Sequence, residues 1–150
     1  MELVKSDAQD VADVYRRFRE LATQIESASR KYDAEFFWVR KETLKAAESA
    51  CADLQDAERF RDRREELIFL YQCRHEARET LRLLHYAMEA RLMGAEDRTI
   101  KKEYEEAARR LEGLITGRES RLPMPWDVAI NLRRPEDPAF FSGPQAAVGL

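Results

Sequence analysis

From Val11 to Tyr32 the apolar residues Val11, Val14, Phe18, Leu21, Ile25, Ala28 and Tyr32 recur at intervals of three and four. That spacing returns a side chain to one face of an α-helix at every turn, and its strict alternation is heptad-like, of coiled-coil type. Ser6 or Asp7 supplies the short polar side chain that caps such a helix. Asp33 stands ready to cap a second helix, whose buried side is expected to include Phe37, Leu44, Ala47, Cys51 and Leu54 and whose end falls near Phe60. The string Asp62-Arg63-Arg64-Glu65 has the form of an N-cap with an acidic residue at the third helical position. It precedes a third stripe of Leu67, Leu70, Arg74, Ala77, Leu81, Leu84 and Met88. A fourth stripe, Ile100, Tyr104, Ala107, Leu111 and Leu114, lies between Gly94, expected as a left-handed C-cap, and Gly117, expected to end the helix, with Asp97 or Thr99 as its N-cap. Residues 60–63 contain no glycine, so the pattern leaves open whether 33–93 is two helices or a single one of about 90 Å.

The breakers are distributed unevenly. The first glycine is Gly94, and all five prolines fall between Pro123 and Pro144. Residues 1–118 therefore read as an all-α body, an elongated bundle of three to four long helices, and 119–150 as an extended, Pro-rich C-terminal arm. In the arm the helical period gives way to alternation. Leu122, Met124, Trp126, Val128, Ile130 and Leu132 occupy every even position, which describes an extended segment with one apolar edge. Pro123 and Pro125 cannot donate to a sheet ladder and restrict it to an edge strand or a polyproline-like strap. Phe140 and Phe141 add an aromatic pair beyond the Arg133-Arg134-Pro135-Glu136-Asp137-Pro138 hinge. Such an arm either folds back along its own bundle to cover an apolar flank or, reaching on the order of 100 Å when fully extended, clasps a neighbouring subunit.

Four consecutive apolar residues on a helix point about 100° apart and cannot all face one core. Phe36, Phe37, Trp38 and Val39 form such a run, so part of it is expected to meet another surface. With 44% apolar and 37% charged residues among 150, the chain has the material for one soluble domain. Its 26 basic and 29 acidic side chains leave a net charge of −3, with both signs interspersed. No global positive field exists to draw nucleic acid or a membrane. Arg59, Arg61, Arg63 and Arg64, and the helical row Arg74, Arg78 and Arg82, sit among Asp56, Glu58, Asp62, Glu65, Glu66, Glu76 and Glu79. They read as solvated intrahelical pairs. The apolar runs are too short to span a bilayer, and the first 25 residues are too polar for a signal peptide.

Candidate chemistry is sparse. Cys51 and Cys73 have neither the CxxC spacing nor the accompanying histidines of a zinc module, although a hairpin turning at Asp62 brings them face to face. A di-metal carboxylate bundle needs Glu-x-x-His, whereas Gln72 and Arg82 stand three residues before His75 and His85. Phosphate-binding and nucleophile-elbow strings are missing. The expected function is accordingly non-enzymatic, with no cofactor, metal or small-molecule substrate: a structural or assembly subunit that pairs with protein partners, foremost copies of itself. Phe36, Phe37, Trp38, Leu122, Met124, Trp126, Val128, Ile130, Leu132, Phe140 and Phe141 are the expected partner-binding residues. By analogy of architecture alone, a helical body with a C-terminal arm suggests a virion component such as a phage head–tail connector or neck protein, located in the virion or the cytoplasm. The alternative is a cytoplasmic helical adaptor, chaperone or transcription-regulating protein whose tail is a strap or peptide ligand.

Overall fold

The computed structural model describes residues 7–60 and 62–122. They form four helices, α1 (Asp7–Ser29), α2 (Phe37–Arg59), α3 (Arg63–Glu89) and α4 (Thr99–Glu119), with short 3-10 turns at Ala34–Phe36 and Ala95–Asp97. Short connections force sequential helices to run antiparallel. α1 packs on α2, α2 on α3, α3 on α4 and α4 back on α1, which closes an up-down-up-down ring. At 1.5 Å per residue the helices are about 31–40 Å long. The architecture is the all-α bundle that the stripes predict, with α2 and α3 as separate helices.

The break between α2 and α3 is made by chemistry legible in the sequence. Asp62 has extended backbone, and its carboxylate accepts a hydrogen bond from the Arg64 backbone N–H at 2.9 Å. Hydrogen bonds from Arg64 and Glu65 hold that carboxyl below the usual carboxylate range. Every predicted member of the α1 stripe, Val11 through Tyr32, is buried. Phe18 meets Tyr104 of α4 edge to face, with ring centroids 5.2 Å apart. The α2 face is built from Ala46, Ala47, Ala50, Cys51, Leu54 and Ala57. Small side chains there let α3 approach closely along Leu67, Leu70, Cys73 and Ala77.

Three sequence expectations are corrected. Phe37 is not on the buried side of α2: it is 52% exposed, while Phe36 packs half-buried on the core and Val39 is fully buried. The 3-10 turn at Ala34–Phe36 sets this phase. Phe36 falls three and seven residues before Val39 and Thr43, whereas Phe37 falls in line with exposed Lys41. Gly94 is not a left-handed cap, since its φ is −71°. α3 closes instead on Arg91, whose φ is 60°. The Arg91 N–H donates to the Met88 carbonyl at 3.0 Å and the Leu92 N–H to the Ala87 carbonyl at 2.9 Å, the paired bonds of a Schellman motif. Gly117 does not end α4, which continues to Glu119. The reason is Arg118, buried and paired with Glu66 on α3. After α4 the chain turns through Ser120 and Arg121, and Leu122 packs half-buried against the core. Met124, Trp126, Val128, Ile130, Leu132, Phe140 and Phe141 lie outside the described residues.

Candidate functional site

The bundle has two ends of different character. At one end α2 finishes, α3 begins and α4 finishes. Arg118 Nε donates to both Glu66 carboxylate oxygens, at 3.0 and 3.1 Å, and Arg63 donates to the same carboxylate at 3.1 Å. Tyr71 donates its hydroxyl proton to Glu119, and the Arg74 guanidinium lies 5.0 Å above the Tyr71 ring. Phe60 stacks on Phe69 with centroids 5.2 Å apart. Acids and bases on α3 and α4 therefore tie the last turn of α4 to α3.

At the opposite end α2 begins and α3 finishes. Trp38, from the first turn of α2, and Tyr86, from the last turns of α3, bring their ring centroids to 5.7 Å. Phe37 and Trp38 are 52% and 53% exposed, and Tyr86 is exposed beside them. Lys31 reaches across from the end of α1 to Asp97 at 2.9 Å and to Glu96, clipping the two loops of this end together. Sequence reasoning found Phe37 and Trp38 from the run they belong to. It missed Tyr86, whose neighbour is 48 residues away and carries no local signal.

Between the ends, the seam of α3 and α4 opens into a groove of about 340 Å³. Arg74, Arg78 and Arg109 line it together with Glu105 and Glu112, over a floor that includes Ala77, Leu81 and Ala108. Glu112 accepts from Arg74 at 3.3 Å and from Arg78 at 3.4 Å. Glu105 is held by Lys101 at 2.9 Å. Three guanidiniums thus face two carboxylates, one of which is already neutralised by a lysine.

Neither cysteine is positioned for nucleophilic work. Both are free and buried in the α2–α3 core. Burial pushes the Cys51 thiol up to about 11 and the Cys73 thiol well above its ordinary value, so both carry their protons at neutral pH. Each lies within electrostatic reach of the other. Burial, reinforced by Glu76 and Asp56, also raises the Asp53 carboxyl to about 7. Among the described residues no group of three or more His, Cys, Asp or Glu is placed to hold a metal ion. Glu79, the helical neighbour of His75, is engaged by Arg82 at 2.6 Å. No helix of the described residues is long and apolar enough to cross a membrane.

No family model matches this chain, and no curated protein or solved structure is measurably similar to it. Its surfaces must therefore be read from their own chemistry. Of the expected partner-binding residues, Phe36, Phe37 and Trp38 lie at one end, where Tyr86 packs on Trp38, while Leu122 lies at the other end, just after α4.

Proposed function

We propose that this protein is a non-enzymatic assembly subunit, a helical body that meets other copies of itself through the Phe37–Trp38–Tyr86 end and holds them with its C-terminal arm. The observation that carries the reading is the aromatic cluster. Half-exposed Trp38 pairs with Tyr86 across a helix seam, and its chain neighbour Phe37 is half exposed as well; large apolar rings left in water in this way mark protein contacts more often than they serve a monomer. Rigid aromatics lose little side-chain freedom on docking, which makes them effective anchors. The apolar alternation of residues 122–132 is compatible with the reading, since such an edge gains by lying against a surface, whether a neighbour's or its own body's. By analogy of architecture, a virion connector or neck subunit is the class of assembly that this combination suggests.

The test is the solution mass, by light scattering on a sizing column across a concentration range, of three chains: the wild type, Trp38→Asp, and a version ending at Leu122. Cutting at Leu122 spares Arg118 and its buried partner, which a cut at Gly117 would not. Trp38 is exposed, so Trp38→Asp leaves the fold intact by circular dichroism and lowers the association constant about tenfold or more. A wild type that stays monomeric at every concentration, or a Trp38→Asp chain with an unchanged mass profile, sinks the homo-oligomeric reading. The adaptor alternative gains if the wild type is monomeric and truncation exposes a surface that binds other protein.

A further inference from the structure

The connection from α3 to α4 borders a hollow of about 380 Å³, lined by Met88, Arg91, Met93 and Arg98. Neither Trp38 nor Tyr86 lines it, so it stands apart from the assembly contact. Among the described residues Arg91 is the one non-glycine position with left-handed backbone, at a φ of 60°. The Arg91 and Leu92 N–H groups close α3 there, a task that glycine performs with less strain. The Arg91 guanidinium makes no hydrogen bond or ion pair with any described residue that would offset the strain. A disfavoured backbone kept beneath a side chain the fold does not use points to a use outside the fold.

Arg98, immediately before α4, likewise makes no hydrogen bond or ion pair among the described residues, and it faces the same hollow. An unpaired guanidinium is not in itself a site, since Arg109 and Arg110 make no ion pair either. Their surroundings differ. Arg109 shares its groove with Glu105 and Glu112, and Arg110 shares its hollow with Asp10 and Asp13. Among the described residues no carboxylate lines the hollow of Arg91 and Arg98, and the acids of the intervening loop, Glu96 and Asp97, are held by Lys31.

We propose that this hollow binds a phosphate monoester with a short, unbranched apolar substituent, the two guanidiniums holding the phosphate and Met88 and Met93 receiving the chain. Charge selects the head group. A phosphate monoester carries about −1.5 to −2 near neutral pH, which matches two guanidiniums, whereas a carboxylate leaves one of them unmatched. Guanidinium forks also take phosphate oxygens in pairs. The volume lies at the small end of the range for ligand pockets and admits a head group with a few methylenes. Buried Met93 and half-buried Met88 supply flexible, polarizable thioethers that mould to a linear chain.

The experiment follows the methyl signals of the four methionines in the full-length chain by NMR while hexyl phosphate is added. Saturable shifts of Met88 and Met93 are expected. Arg91→Gly and Arg98→Ala each weaken binding about tenfold or more, and Arg91→Gly does so on the backbone that glycine favours, with circular dichroism unchanged. Inorganic phosphate and hexanoate each bind about tenfold more weakly, because one lacks the chain and the other half the charge. Arg110→Ala, beside its own acids, leaves the affinity unchanged. Vesicles of phosphatidylcholine with and without phosphatidic acid separate two sources of the same chemistry: co-sedimentation that needs both phosphatidic acid and the two arginines assigns the ligand to a membrane lipid, and its absence alongside hexyl phosphate binding assigns it to a soluble molecule. Still methionine signals overturn the proposal. So do shifts that survive the Arg91→Gly, Arg98→Ala double variant, an equal loss in Arg110→Ala, or hexanoate binding as tightly as hexyl phosphate.

Discussion

The two ends of the bundle are each fastened by an ion pair between distant segments, and the pairs live in opposite environments. Glu66 and Arg118 join α3 to α4 with side chains 8% and 2% exposed. Lys31 joins the α1–α2 loop to Glu96 and Asp97 of the α3–α4 loop with its side chain half exposed to water. Water decides what each fastening is worth. In the dry pair each charge depends on the other, because no solvent replaces a lost partner. In the wet pair solvent solvates whatever is cut loose, and salt screens what remains. The end that roots the arm is therefore committed to one arrangement. The aromatic end is fastened by a pair whose loss water can compensate.

This contrast can be broken experimentally. Arg118→Ala leaves Glu66 buried without its main partner and is expected to cost about 3–5 kcal/mol in urea unfolding. Glu66→Met combined with Arg118→Met recovers most of that loss, because well-packed apolar groups of similar volume replace a buried pair at little cost. Recovery separates charge isolation from lost packing. Asp53, on the α2 face toward the arm-root end, sharpens the point from the other side, as a carboxyl that burial disfavours in its charged form. Its folded value of about 7 lies above the unfolded value of about 3.9. Between those pH values the folded chain holds a proton that the unfolded chain has released. The associated stability is present below about pH 4 and is lost as pH rises through 7. Asp53→Asn is expected to be more stable than wild type at pH 8 by about 1 kcal/mol, after allowance for solvent screening at a half-buried site, with the advantage nearly gone at pH 4.5.

At the aromatic end the effects shrink. Arg91→Gly relieves a left-handed backbone that a side chain disfavours, and is expected to raise stability by about 0.5–1 kcal/mol, seen as a higher thermal midpoint. A lowered midpoint would mean that the Arg91 side chain contributes more than its backbone costs. Smallest of all, Lys31→Ala is expected to leave the midpoint unchanged within error, in low salt and in 0.5 M salt. A drop comparable to that of Arg118→Ala would erase the distinction between the two ends.

Much of the body was legible because its signals are local. The alternation from Val11 to Tyr32 placed α1 with its buried face, and Asp62 placed the start of α3 through a side chain two residues from the N–H it satisfies. What sequence reading missed depended on the phase of an element or on a distant partner. Phe37 reads as core from its place seven residues before Leu44, but after the 3-10 turn at Ala34–Phe36 it is Phe36 and Val39 that face the core. Gly94 was the obvious left-handed residue, but α3 had closed on Arg91 before reaching it. Gly117 reads as a stop on propensity alone. Arg118, in phase with Leu111 and Ile115, instead carries the helix on to Glu66. There a signal was available: Glu66 keeps step with Leu70, Cys73 and Ala77, and an acid in phase with a buried stripe implies a base in phase with another. Of the candidate site, Trp38 was visible and Tyr86 was not, because a ring pair spanning 48 residues leaves no trace in either neighbourhood.

The position of Arg118 also determines how the molecule bears load. A pull on the arm enters the body at Leu122 and next meets Glu119 and Arg118, whose partners Tyr71 and Glu66 both sit on α3. Tension directed along α4 is thus carried in shear across two bonds on the adjacent helix, instead of peeling α4 away one turn at a time. Pulled at Leu122, the body would give way by sliding a seam, at high force and over a short distance, and the core formed by α1 and α2 would be the last part to feel the strain.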